Sequence, residues 1–371
     1  MPSLSSTLHD LTRDLVRIDS RSSVSNLAVA ERIEAALSGF DVERLDYTDH
    51  AGVAKRALVA HRGGTGGIAL SGHMDTVPDT GWQENPWSAR IDADGVLHGL
   101  GSTDMKGPVA AAVVAACALP ASVPVTLLIT TDEETTKQGA REIATHSELV
   151  RQVKPRGIIV AEPTRLIPVR GHRAHIHFTC TAHGVQAHSS TGKGRNANWD
   201  LIPFLVEMKT IFERLRGDVS LQDTDYEPPF SDFNLVIENH GAAVNVTVPV
   251  ATARIKFRYS AKVDPAPVLI AVREAAARAG ITVREDREGF PPELPSDHPL
   301  VALCVAATGQ AAHTAPYGTD ASELQAIAPC VVLGPGDIAV AHTPTEKVRL
   351  ADLEAAAPLF MRLAEQMAAA R

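Results

Sequence analysis

Three short apolar runs, each ending on a polar cluster, constrain this chain more than any other feature of its sequence. Residues 67–71 lead into Ser71-Gly-His-Met-Asp75, residues 123–131 into Thr131-Asp-Glu-Glu134, and residues 157–160 into Ala161-Glu-Pro-Thr164. Strands that are apolar along their whole length suit a sheet covered on both faces, with helices between the strands. The Ala/Val-rich stretch 107–119, which opens with Pro108, is such a helix. Ligands of open α/β sheets gather beyond the carboxyl ends of the strands. The three polar clusters fall on that edge, so a site is expected there.

The pattern changes after residue 173. Residues 174–183 alternate as a strand, and 196–216 carry Leu201, Leu205, Met208, Ile211, Phe212 and Leu215 at helical spacing. Strands at 233–238 and 251–261, a helix at 265–279 and a short strand at 281–284 follow. The order β-α-β-β-α-β is that of a ferredoxin-like sandwich. We therefore expect an inserted domain, 174–287, within a body formed by 1–173 and 288–371. The body resumes with a helix at 298–308, a strand at 330–333 and a last helix from Leu350. A chain of 371 residues accommodates two such cores.

In residues 1–20, Leu4, Leu8, Leu11, Leu15 and Ile18 recur at helical spacing with charged residues between them. That is an amphipathic surface helix, not the continuous apolar core of a signal peptide. No run reaches the ~18 apolar residues of a membrane span. The net charge of -9 argues against nucleic-acid and anionic-membrane partners, which would want a basic face. Cys117, Cys180, Cys304 and Cys330 are far apart and lie in apolar runs, as buried free thiols of a reducing compartment do. A soluble cytoplasmic enzyme is expected.

Five residues of the motifs are candidate metal ligands: His73, Asp104, Glu134, Glu162 and His342. Two imidazoles and three carboxylates suit a pair of divalent cations such as Zn²⁺. If one carboxylate bridges, each ion has three protein ligands and an open position, the form of a hydrolytic centre. Asp104, in Ser102-Thr-Asp-Met-Lys-Gly107, has two oxygens to offer and is the expected bridge, although an N-cap of the following helix is an alternative. Asp75 is expected to hydrogen-bond the second ring nitrogen of His73 and fix its tautomer. Glu133 and Glu134 repel each other unless cations compensate. Glu134 would then ligate, while Glu133 moves the proton from water to the leaving amine. A solvated acidic helix start is the competing reading. His188 lies in the inserted domain. It is either a hydrogen-bond donor to an oxyanion or a capping histidine of a loop. His175-Ile-His177 is read as same-face histidines of a strand rather than a metal pair. No G-x-S-x-G elbow is present, so a serine hydrolase has no support.

Taken together, these motifs resemble the dinuclear zinc metallopeptidase family that includes acetylornithine deacetylase, succinyl-diaminopimelate desuccinylase, aminoacylase and bacterial glutamate carboxypeptidase. The resemblance runs nearly end to end. Gly-His-Met-Asp-Thr-Val-Pro at 72–78 and Asp-Met-Lys-Gly at 104–107 carry it most specifically. It implies an α/β fold: a zinc-exopeptidase-like mixed sheet flanked by helices, with an inserted ferredoxin-like α+β lid that also dimerises. It implies one ion on His73, Asp104 and Glu162 and a second on Asp104, Glu134 and His342, Zn²⁺ or Co²⁺ by type. Glu133 would be the general base and acid, Asp75 its neighbour's support, and a cis peptide would follow Asp104. Asn245 and Arg258 would bind a substrate carboxylate, a task that suits the Arg fork. In a homodimer, His188 would serve the partner subunit's site. Segments 317–322 and 333–342 most resemble acetylornithine deacetylase and its acetylcitrulline relatives. The implied reaction is hydrolysis of an N-acyl, above all N-acetyl, amino acid with a free α-carboxylate, as in arginine biosynthesis. Dipeptidase, carboxypeptidase or desuccinylase activity at the same site is the alternative. Arg170 stands where the deacetylases vary, so side-chain specificity stays open.

Overall fold

The three apolar runs form adjacent parallel strands, Val125–Thr130, Ile68–His73 and Gly157–Pro163, in that spatial order. The structure, a computed structural model, describes residues 3–370. Cys330–Gly334 adds a fourth parallel strand beside Gly157–Pro163. An antiparallel hairpin, Asp41–Thr48 with Ala54–Arg62, extends one side of the sheet. Val169–His172 and His313–Ala315 extend the other, giving eight strands of mixed direction. The four central strands are buried from end to end. Their lack of polar alternation follows from that burial.

Helix Lys106–Ala118 packs on the central strands and against helices Leu4–Arg17 and Leu350–Ala369. Leu8, Leu15, Val109, Val113, Leu353 and Phe360 close the core between them. Leu4–Arg17 is capped by Ser3, whose hydroxyl accepts the Ser6 N–H at 3.1 Å. Met1 and Pro2 of the expected 1–20 segment lie outside the described residues. Gly107 is required where Lys106–Ala118 leaves the Asp104 turn: a Cβ there would stand 2.2 Å from the Ser102 carbonyl oxygen.

Two strands run further than their apolar stretches. Ile68–His73 ends on His73 itself, and Gly157–Pro163 takes in Glu162. Both polar side chains therefore hang on rigid strand ends rather than on the loops after them. The hairpin of residues 41–62 has no counterpart in the sequence reading, because its outer strand alternates charged and half-buried residues and reads as polar loop.

Residues His172–Pro291 with Ala315–Gly318 form a second compact unit. It begins at 172 rather than 174, ends at 291 rather than 287, and takes in a segment, 315–318, with no signal in the sequence. Its antiparallel sheet runs Asp232–Glu238, Val250–Tyr259, Ala174–His183, Thr282–Arg287. Helices Asn198–Gly217 and Ala266–Ala279 pack with it around Phe178, Phe204, Ile255, Phe257 and Val272. Chain order and strand order are those of a ferredoxin-like fold. Ala174–His183 buries alternate residues, which puts His175 and His177 together on its more open face. His175 is engaged by Glu288 at 2.9 Å, so the H-x-H spacing needs no metal to explain it. The four cysteines are free, Cys117 being only partly buried. Among the described residues no helix is long and apolar enough to cross a membrane.

Candidate metal and catalytic site

The carboxyl edge of the parallel strands brings five polar side chains together. His73 ends one strand and Glu162 sits near the end of the next. Glu134 follows Val125–Thr130, and His342 follows Cys330–Gly334. Asp104 lies in the turn before Lys106–Ala118, where a cis peptide joins it to Met105. The five form two triples, His73–Asp104–Glu162 and Asp104–Glu134–His342, with donor atoms within 4.8 Å of one another in each. Asp104 belongs to both. Its Oδ1 is 3.1 Å from His73 Nε2, and its Oδ2 is 3.2 Å from His342 Nε2. His73 Nε2 lies 3.8 Å from Glu162, and His342 Nε2 lies 3.0 Å from Glu134. Asp104 is not used as a helix cap: the cap position belongs to Met105, and no side-chain cap bond is made.

Asp75 meets His73 through two of its oxygens. His73 Nδ1 is 2.9 Å from the Asp75 main-chain carbonyl and 3.5 Å from its carboxylate. The main-chain oxygen is thus the closer partner that orients the ring. The fully buried Asp75 carboxylate accepts the Ser22 hydroxyl at 2.7 Å and the N–H groups of Glu133 and Glu134 at 3.2 and 3.3 Å. It therefore holds the backbone from which both glutamates project.

That backbone is fixed from two more sides. Asp132, at φ +62°, receives the Tyr47 hydroxyl at 2.7 Å and pairs with fully buried Lys55 at 2.8 Å. Lys137 lies 3.7 Å from Glu133 and donates to the Thr319 carbonyl at 2.9 Å. Gly139 packs its α-carbon onto the Thr131 main chain, where a Cβ would stand 2.5 Å from the carbonyl oxygen. The Glu133–Glu134 pair is thus not a solvated helix start. Lys55 and Lys137 carry no motif, and Asp320 lies in the 317–322 segment without being singled out there; their roles appear only when the strands are assembled. Asp320, buried, accepts a short hydrogen bond from the Thr130 hydroxyl.

The electrostatics call for cations. Burial pushes Glu134 up to about 8 and Glu162 well above the usual carboxylate range, and Asp104's charge adds to both shifts. Burial also raises Glu133, against the pull of Lys137. Asp320 is pushed up to about 8 by burial and by the charge of Glu133. Asp104 alone of these stays low: burial opposes its charge, but hydrogen bonds from His342 and His73 outweigh it. His342 is raised to about 11 by Asp104 and Glu134. A buried pocket this rich in carboxylates is held together by protons or by metal ions. Mixed imidazole and carboxylate triples sharing one carboxylate fit a pair of divalent ions.

Three expected residues lie in the second unit. His188 is exposed and caps a short turn, with Ser190 Oγ 2.8 Å from its Nδ1. The neighbouring Ser189 N–H donates to the Asn245 carbonyl at 2.9 Å, so these two segments sit side by side. Arg258 is half-buried and donates to Asp232 at 3.0 Å. Arg170 is taken up elsewhere, bonding Glu293 at 3.2 Å and the Leu294 carbonyl at 3.0 Å.

Residues 69–366 match the model of peptidase family M20/M25/M40. The chain belongs to this family. It is 31% identical to an acetylornithine deacetylase of Proteus mirabilis over 95% of its own length and 93% of that protein. The fold matches a di-peptidase of Saccharomyces cerevisiae at a TM-score of 0.77, with 15% identity over 99% and 97% of the two chains. It also matches a dinuclear metal binding peptidase of Bacillus subtilis from the same family, at a TM-score of 0.64 and 15% identity, covering 97% of both chains. As a member of this family of peptidases and deacetylases, the M20 chain is a hydrolase, and its relatives cleave amide bonds.

Proposed function

We propose that this M20 enzyme removes the acyl group, by preference acetyl, from an N-acyl amino acid with a free α-carboxylate. The observation that carries the reading is Asp104, whose two oxygens reach His73 and His342, members of two different ligand triples. His73, Asp104 and Glu162 would hold one ion, and Asp104, Glu134 and His342 the other. The imidazole and carboxylate mixture suits Zn²⁺, with Co²⁺ able to replace it. Two divalent ions held there would supply Lewis-acid polarisation of the amide carbonyl and a lowered pKa of water.

The remaining work falls to the chain. Glu133 accepts a proton from the attacking water, holds it, and delivers it to the departing amine. Burial favours the protonated form, which suits a carboxyl that must keep a proton between two steps. Asp75 holds the Glu133 main chain still while this happens. His188 donates a hydrogen bond to the oxyanion, and Asn245 and Arg258 receive the substrate carboxylate. The likeness to acetylornithine deacetylase along most of the chain supports the N-acetyl preference. A panel of N-acetylornithine, N-acetylcitrulline, the N-succinyl analogue and several dipeptides, with Zn²⁺ or Co²⁺ added, tests it. An acetylated amino acid should show the highest kcat/KM, and its carboxamide analogue should be cleaved far more slowly. A dipeptide ahead of every acetylated amino acid would replace the reading. An equally good carboxamide would remove Arg258 and Asn245 from it.

The same reading makes the protein a homodimer. Leu235, Val236 and Ile237 are exposed on Asp232–Glu238, an edge strand, and Trp199, Ile202 and Val206 on Asn198–Gly217. Apolar sheet edges of this kind are normally covered. Light scattering should give twice the 39.4 kDa of the chain; a monomer at micromolar concentration would refute the assembly.

A further inference from the structure

Glu346 is buried, with 1% of its surface exposed, yet it belongs to neither ligand triple. Its carboxylate faces the Asp104 turn. Oε1 accepts the N–H groups of Thr103 and Asp104, each at 2.9 Å, and Oε2 accepts that of Gly101 at 3.1 Å. Two further bonds join the same segments: Gly99 N–H to the Glu346 carbonyl at 3.2 Å and the Thr103 hydroxyl to the Lys347 carbonyl at 2.6 Å. Glu346 also closes the turn that follows His342, its N–H bonding the Thr343 carbonyl at 3.2 Å. One residue, through its side chain and its main chain, therefore ties the turn bearing Asp104 to the turn that follows His342.

We propose that Glu346 is a positioning residue that sets Asp104 against His342 and so builds the second cation position; the inference rests on the dinuclear reading above. The argument is one of support. His73 and Glu162 hang on buried strands and keep their places without Glu346. His342 has no such support. Its side chain is 52% exposed and its backbone sits at φ +58°, in a loop. What brings its Nε2 to within 3.2 Å of Asp104 Oδ2 is the register of the two turns, and the charge-assisted bonds of Glu346 set that register. A glutamine at 346 keeps the size but offers one acceptor oxygen and turns an NH₂ group toward a buried N–H. At least one of the three bonds is lost, and a buried donor faces another donor. The Asp104 turn then shifts relative to His342, and the position that uses both weakens more than the one that also has His73 and Glu162.

Metal-free full-length protein titrated with Zn²⁺ by calorimetry, and with Co²⁺ by visible absorption, reads this directly. The parent should bind two ions in separable steps. In E346Q, with its circular dichroism unchanged, the weaker step should lose about 10- to 100-fold in affinity, while the tighter step stays close to the parent. The Co²⁺ spectrum of the second site should change with it. T103V removes only the hydroxyl bond to Lys347 at constant volume and should weaken the same step by a smaller factor. It decides the matter if E346Q does not fold. Parent-like affinity at the weaker step in the folded variant, or equal loss at both steps, overturns the proposal. A parent that binds fewer than two ions overturns the dinuclear reading itself, and this inference with it.

Discussion

Replacing Glu133 by glutamine is expected to leave two ions bound and the fold intact, and to lower kcat by about 10²- to 10⁴-fold. Glutamine fills the same volume, so the turn bonded to Asp75 and Asp132 keeps its shape. Lys137 loses a charge partner at 3.7 Å but retains the Thr319 carbonyl at 2.9 Å. What disappears is the only function the reading gives to Glu133, carrying a proton from water to amine. KM should change little, because the side chain makes no bond that the bound substrate needs. Glu133→Ala should behave in the same way with a somewhat lower melting temperature. Steady-state kinetics together with metal analysis of the purified variant check this. Turnover within tenfold of the parent, at two ions per chain, would take the proton-transfer role away from Glu133.

The five clustered side chains were signalled in the sequence less by any one residue than by several motifs together, three of them at the ends of apolar strands. A histidine or glutamate that ends a wholly apolar strand needs partners from outside it, and other segments bring Asp104 to His73 Nε2 and set Glu162 beside the same nitrogen. The ferredoxin-like unit was legible for a similar reason, since its periodicity switches from 2 to 3.6 and back in a recognisable order. Supporting residues were not legible. Lys55 sits in a strand whose hairpin reads as polar loop, and its worth lies in burial beside Asp132. Glu346 is a single acid among polar neighbours until three N–H groups of a distant turn converge on it. Asp75 shows the limit most clearly. Its spacing from His73 suggested a side-chain contact. The fold adds the main-chain carbonyl as the nearer partner, at 2.9 Å against 3.5 Å for the carboxylate, and uses the carboxylate also to hold Glu133 and Glu134. Spacing along a strand fixes which residues are near one another, but not which atom of each is used.

Stripping the metal should abolish activity and destabilise the protein more at pH 8 than at pH 5.5. In the metal-free chain, Glu134 is raised to about 8, whereas an unfolded glutamate sits at 4.5. Between those values the folded state holds a proton that the unfolded state has released, so stability falls as pH rises through the window. His342, raised to about 11 from 6.5, acts with the same sign over a higher window. Asp104 is lowered, so its contribution is lost only as pH falls below the ordinary aspartate range, outside the comparison. On the dinuclear reading, divalent ions would replace these protons as the compensating charge, and they would bind better as pH rises because fewer protons compete. Both effects widen the gap between loaded and stripped protein toward alkaline pH. At saturating ion the difference in melting temperature at pH 8 should be about 5 °C or more, and smaller at pH 5.5. Differential scanning fluorimetry with and without chelator, at the two pH values, measures it, and Zn²⁺ or Co²⁺ added back should restore turnover. Full activity after exhaustive chelation, or a gap that narrows toward pH 8, would mean that the buried carboxylates are balanced by something other than metal ions.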